Sequence, residues 1–161
     1  MTKDTAERVK RLKQEVKDLG RNPKDYRYDY GAMNAWRREN SWVYILCPNN
    51  IEAIVDWSDF VDKQLYSNRW ANSSSNPSLD YPHTNVLSLE DKPKKLYLHH
   101  AIMGSKADRV VDHINGDHYD CRGWNLRHGT TAQNNQNRHP KAIIRKSCDK
   151  NTSAKYVALF T

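Results

Sequence analysis

An α+β fold is predicted by three stretches of the chain. Apolar residues at Val9, Leu12, Val16 and Leu19 recur with the helical period. The run Trp42-Val43-Tyr44-Ile45-Leu46 is β-branched and aromatic and is closed by Pro48-Asn49-Asn50, the pattern of a strand running into a turn. Between residues 109 and 137 the order reads strand, loop, strand, helix.

Taken in order, residues 4–19 form a helix with a narrow apolar stripe, and Gly20 ends it. Its other faces carry Lys, Arg, Glu, Gln and Asp, as on a surface helix that packs one stripe. A basic helix of this kind also suits the backbone of a nucleic acid. Residues 21–40 are polar, with Tyr26, Tyr28, Tyr30 and Trp36 scattered among charges, and read as a linker folded over its neighbours. The strand at 42–46 is followed across its turn by a second strand at Ile51–Val55. Asp56 to Val61 reads as a short helix with an acidic start. Residues 71–85, rich in Asn, Ser and Pro, read as a long loop. Lys95 to His100 reads as a strand or helix entry. The predicted divisions are a basic helix and linker (1–40), a small β-rich module (41–98), a core unit (99–139) and a basic tail (140–161).

The composition narrows the function. Of 161 residues, 37% are hydrophobic, and the mean hydropathy is −0.97. That supply would poorly fill one large core. The net charge is +7 and it is unevenly spread. Residues 1–40 hold 11 basic and 7 acidic groups, residues 41–98 hold 5 and 7, and residues 99–161 hold 10 and 5. Two basic segments flanking a mildly acidic one suit a polyanionic partner gripped at two places. The three cysteines, Cys47, Cys121 and Cys148, include no Cys-x-x-Cys pair. No disulfide framework is expected, which fits a reducing cytosol. The amino-terminal residues lack the apolar stretch of a signal peptide, and no window has the length of a membrane span. A cytoplasmic protein is expected.

The richest stretch is 112–137. Arg109 to Ile114 is β-rich, and Asn115-Gly116 follows as a strong turn signal. The chain returns through Tyr119 to Asn125-Leu126-Arg127. Thr130-Thr131-Ala132-Gln133 then has the form of a capping box, a hydroxyl with an amide three residues later, which should open a helix running to about Asn137. This puts a carboxylate (Asp112), a neighbouring imidazole (His113) and two asparagines (Asn125, Asn134) around one loop and one helix start. Such groups suit the cleavage of a phosphodiester. A hard divalent ion held by few protein oxygens keeps positions open for phosphate and water, and a neutral imidazole can take a proton from water near neutral pH. Adjacent strand residues point to opposite sides, so a kink or strand end is needed for Asp112 and His113 to reach one phosphate. A zinc site would need Cys121 with some of His113, His118 and His128. With a single cysteine nearby, no structural zinc is expected. His83, His118, His128 and His139 read as surface or backbone-contacting residues. Arg109, Arg122, Arg127, Arg138, Lys141, Arg145 and Lys146 cluster around and after the helix, where they would contact backbone phosphates.

The string Leu98-His99-His100, Val111-Asp112-His113-Ile114-Asn115-Gly116-Asp117, Asn125-Leu126-Arg127 and Thr131-x-Gln133-Asn134-x-x-Asn137 closely resembles the HNH nuclease family, in the subgroup of phage and intron-encoded homing endonucleases. The resemblance is strong over 96–138 and weaker over 50–70. It implies a ββα-metal nuclease core that hydrolyses double-stranded DNA with Mg²⁺ or Mn²⁺, leaving 5′-phosphate and 3′-hydroxyl ends. It implies Asp112 and Asn134 as metal ligands, His113 as general base, and Asn125 as the residue that fixes the loop and orients the imidazole. His99 would be mainly structural. His100 stands where arginine is more usual, and Cys121 where asparagine is usual, read as a tolerated loop change. The tail from Asn151 to Phe160 looks like the opening of a small DNA-binding module that stops before completion. A phage-encoded enzyme would work in the host bacterial cytoplasm. One site cuts one strand, so a monomer would nick and a homodimer could cut both. Two other readings compete: a DNA-binding protein on a degenerate nuclease fold without catalysis, and a phage factor that binds a protein partner.

Overall fold

The computed structural model describes residues 2–106 and 108–134. Helix α1 spans Lys3–Asp18. It starts where the Thr2 hydroxyl accepts the Thr5 N–H, an N-cap that satisfies one of the free donors of the first turn. It stops at Gly20, whose φ of 79° is left-handed. There the Gly20 N–H donates to Lys17 and the Arg21 N–H to Val16, the paired closure that favours glycine after a helix. Leu12 and Val16 are the buried part of the predicted stripe.

Strands β1 (Trp36–Glu39), β2 (Trp42–Cys47) and β3 (Ile51–Asp56) form an antiparallel sheet in that order. The β1–β2 turn is Asn40-Ser41, with Asn40 at φ 54°. The β2–β3 turn is the predicted Pro48-Asn49-Asn50, with both asparagines left-handed, a conformation their short polar side chains tolerate. Helix α2 (Trp57–Asp62) leaves β3 directly. Strands β4 (His83–Leu87) and β5 (Pro93–Tyr97) make a second antiparallel pair. The chain passes from β5 straight into α3 (Leu98–Met103). Strands β6 (Val110–His113) and β7 (Leu126–Gly129) make the third pair. A further helix opens at Thr131 and is described to Asn134. The architecture is mixed α+β with three small antiparallel sheets. Among the described residues no helix is long and apolar enough to cross a membrane.

Two expectations change. Residues 21–40 fold over their neighbours but are not an irregular linker throughout. They contain β1, and Tyr26, Ala32, Ala35 and Trp36 are buried. Asn34 is buried too: its amide donates to the carbonyls of Leu46 and Trp70 and accepts the Trp70 N–H. The loop read over 71–85 gives way to β4 at His83, where Ala71 also bridges to His83. In both places a tertiary partner fixes extended backbone that local composition does not announce.

The expected shortage of core is met by sharing. One buried cluster joins Trp36, Val43, Ile45, Ala53, Val55, Phe60, Leu65 and Trp70 to Leu98, Ile102, Tyr119, Cys121 and Leu126. It draws on both sides of position 98/99. The join is also hydrogen-bonded. The Ile54 N–H donates to the Tyr119 carbonyl, and the Cys121 N–H donates to the Ile54 carbonyl, each at 2.8 Å. The loop between β6 and β7 thus pairs with the open edge of β3.

Candidate functional site

Asp112 and His113 are the last two residues of β6, and both are buried (7% and 2% exposed). Asp112 lies opposite Arg127 and His113 opposite Leu126 in the β6–β7 register. Residues directly opposite share a face, so Arg127 leaves the pair on the side of Asp112. His113 is the last residue of the strand. The turn that follows differs from a two-residue hairpin. Gly116 takes a φ of 79°, Asn115 does not take positive φ, and the connection runs on through 114–125.

That connection is held by its own polar side chains. Asn125 is fully buried. Its amide oxygen accepts the Asn115 N–H at 2.9 Å and its amide nitrogen donates to the Asp120 carbonyl at 2.7 Å. The Ile114 N–H donates to the Asn125 carbonyl at 2.7 Å. Asn125 therefore pins the start of the loop to its end. The Asp120 carboxylate is the second hub. It accepts from the Asn115 amide at 2.9 Å and from the Arg122 guanidinium at 2.8 and 2.7 Å. A buried carboxylate needs that many donors. Nothing in the local pattern singled Asp120 out.

Arg122 was expected to meet a phosphate. Its guanidinium is engaged with Asp120 and sits over the rings of Trp42 (4.4 Å) and Trp124 (5.0 Å). The Asp120 contact also raises its pKa, against the opposing effect of partial burial. Arg122 ties the loop to β2, and a phosphate would have to compete with a carboxylate already in place. Arg109 is exposed beside Asp108, and Arg127 is half-buried. Arg138, Lys141, Arg145, Lys146, His139, Asn137 and the tail lie outside the described residues.

The His113 ring is surrounded by aromatic groups. His99, on α3, meets it edge-on with ring centroids 4.9 Å apart. Tyr81 lies 5.6 Å from His113 and stacks on His118 at 4.0 Å. The His113 Nε2 lies 3.7 Å from the sulfur of Cys121. His99 is 5% exposed, and its Nδ1 is buried without a hydrogen-bond partner. Burial, with the nearby His100 and His118, pushes its pKa down to about 3, so it is neutral at physiological pH. Its surroundings are those of a packing residue. Ring nitrogens of His83, His118 and His128 contact the carbonyls of Tyr81, Asp80 and Met103. These are the backbone contacts expected, but His83 and His118 are buried, not at the surface.

The capping box forms as read. The Gln133 N–H donates to the Thr130 hydroxyl at 3.2 Å and the Thr130 N–H donates to the Gln133 amide oxygen at 2.8 Å. The Asn134 N–H donates to the Thr130 carbonyl. Asn134 is thereby fixed in the first turn of its helix, half-buried, five residues after the last residue of β7. Among the described residues no group of three or more His, Cys, Asp or Glu side chains has metal-holding geometry. A pair made of one carboxylate and one amide oxygen is a different kind of donor set. Comparison of the chain with family models, with curated proteins and with solved structures returns no match.

Proposed function

We propose that the chain is a metal-dependent DNA endonuclease of the HNH type, with a ββα-metal unit made of β6, β7 and the helix that opens at Thr131. One observation carries the reading. Asp112 and His113 end one strand, Asn125 locks the loop behind them, and a capped helix holds Asn134 directly after the partner strand. The resemblance over 96–138 requires that order.

The donor set fits a hard cation. Asp112 offers carboxylate oxygens and Asn134 an amide oxygen, the ligand types of Mg²⁺ and Mn²⁺. When bound, such an ion supplies charge neutralisation at the scissile phosphate. His113 takes the proton from the attacking water. Asn125 keeps the loop, and so the strand end bearing His113, in one conformation. His99 packs against the imidazole and stays neutral, so it adds no charge beside a group that must gain a proton. Arg109 and Arg127 supply contacts to backbone phosphates, which give affinity and salt dependence with little sequence information. One such site cuts one strand, so a monomer nicks and a homodimer cuts both.

The burial of His113 favours a second reading, a DNA-binding protein that no longer cleaves. Supercoiled plasmid carrying the cognate site separates the two. With Mg²⁺ or Mn²⁺ the wild-type protein is expected to give nicked circles, chelator is expected to stop it, and His113→Ala is expected to lose nearly all activity. Retarded but uncut plasmid with both metals would overturn the nuclease and leave the binding protein.

A further inference from the structure

The charges of α1 are sorted by face. Lys3, Lys10, Lys13 and Lys17 follow one another at spacings of seven, three and four residues and so share one side of the helix. Asp4, Glu7, Glu15 and Asp18 fall on a second side, and Leu12 and Val16 are buried on the third. Near the end of the helix the carboxylates have partners. Glu15 pairs with Arg69 at 3.2 Å, and Asp18 accepts from the Gln14 amide at 2.9 Å. Lys10, Lys13 and Lys17 are exposed and form no ion pair among the described residues. The lysine side borders a cleft of about 470 Å³. Lys13, Lys17 and Lys24 line it with Asn22, Tyr26 and Tyr28, and none of the residues lining it is acidic. Its walls are fixed. The Tyr28 hydroxyl donates to the Pro23 carbonyl at 2.8 Å, the Tyr26 hydroxyl donates to Glu52 at 2.8 Å, and the Asn22 side chain accepts the Lys24 N–H at 3.0 Å. The Lys13 ammonium stands 5.6 Å from the centre of the Tyr28 ring. Past Asn22 and Tyr26 the surface continues to Arg21 and Arg37. Those two arginines already share Glu52, at 3.5 and 2.7 Å, so the uncompensated positive charge lies with the lysines.

We propose that this cleft and the lysine stripe of α1 bind the phosphate backbone of duplex DNA, as a second contact that shares no residue with the strand-end site. The choice of duplex DNA as the polyanion rests on the nuclease reading; the anion-binding surface rests on the charge pattern alone. A lysine meets phosphate as a point charge and reads no sequence. Each phosphate neutralised releases counterions and steepens the salt dependence of binding by about 0.9. From Lys10 to Lys17 the stripe covers about 10 Å of helix axis, the length of about three nucleotide steps of one strand at about 3.4 Å each. The surface is unsuited to a membrane. The apolar side of α1 is buried in the fold, and no exposed large apolar side chain lines the cleft, so nothing there enters a lipid layer.

The test is fluorescence anisotropy of a labelled duplex of arbitrary sequence, titrated with the full chain in EDTA over a series of KCl concentrations, so that binding is read without cleavage. Lys13→Gln/Lys17→Gln keeps a good helix former at both exposed positions. It is expected to weaken binding to every duplex and to lower the slope of log K against log salt by about 2, close to 1 for each lysine. Lys63→Gln/Lys92→Gln removes the same charge from lysines that pair with Asp59 and Glu90, and it is expected to leave the slope unchanged. A slope that falls equally in both variants, or in neither, overturns the cleft as a DNA surface and leaves the strand-end site untouched. Wild-type protein that does not hold the duplex overturns it too, and binding of phosphatidylserine vesicles in its place, lost in Lys13→Gln/Lys17→Gln, would make the surface one for lipid. Duplex held through the cleft but not nicked with Mg²⁺ or Mn²⁺ counts against the nuclease reading and leaves the cleft standing.

Discussion

Asn125 bonds two backbone groups that have no other role in the loop, the Asn115 N–H and the Asp120 carbonyl. Truncating it to alanine leaves both without that partner next to a buried carboxylate. An unsatisfied buried polar group costs about 1–3 kcal/mol. Asn125→Ala should therefore lower the unfolding free energy by about 2–3 kcal/mol in urea denaturation, and a loss below about 0.5 kcal/mol would contradict the role given to it. At this scale the sequence was readable where residues act on near neighbours. Asp112, His113, Asn125 and the Thr130–Gln133 pair lie within one short stretch, and their spacing carries their meaning. It was unreadable where the partner comes from elsewhere. Tyr81 reaches the His113 ring from the segment before β4, and Cys121 finds His113 only because the loop folds back. Neither leaves a periodic trace.

The elements that sequence predicts best are those whose ends are chemically marked. Gly20 closes α1, the Pro48-Asn49-Asn50 turn separates β2 from β3, and the capping box opens the final described helix. β1 was missed because Trp36-Arg37-Arg38-Glu39 buries only its tryptophan and turns charges outward. β4 was missed because it follows a run of Asn, Ser and Pro. Both strands exist because a neighbour supplies the hydrogen bonds. The capped helix yields a prediction. Thr130→Ala removes the hydroxyl that accepts the Gln133 N–H, and loss of such a cap costs about 1 kcal/mol of helix stability. Because Asn134 sits in that first turn, the proposed nuclease should need a several-fold higher Mn²⁺ concentration for half-maximal nicking while saturated kcat changes little. An unchanged midpoint would show that the cap does not hold the proposed ligand.

Among the described residues, the larger of two buried clusters crosses the division that the motif marks. Trp36, Phe60 and Trp70 pack in the same cluster as Leu98, Ile102 and Leu126. Unfolding should then be a single cooperative transition, with tryptophan fluorescence and far-ultraviolet circular dichroism coinciding in urea. Residues 1–98 and 99–161, expressed separately, should each lack the far-ultraviolet signature they have in the intact chain. Two resolved transitions would contradict this. The sequence hid the arrangement because its hydrophobic residues, sparse in each segment, build this larger cluster only when pooled. The pairing of Ile54 with Tyr119 and Cys121 also bears on how such a chain can be recombined. A fragment cut at 99 and transplanted behind another module would arrive without the strand that seats its loop. A viable chimera must carry β3 along or offer an edge of equal register, so exchange between lineages should favour breakpoints upstream of the sheet over breakpoints at the motif.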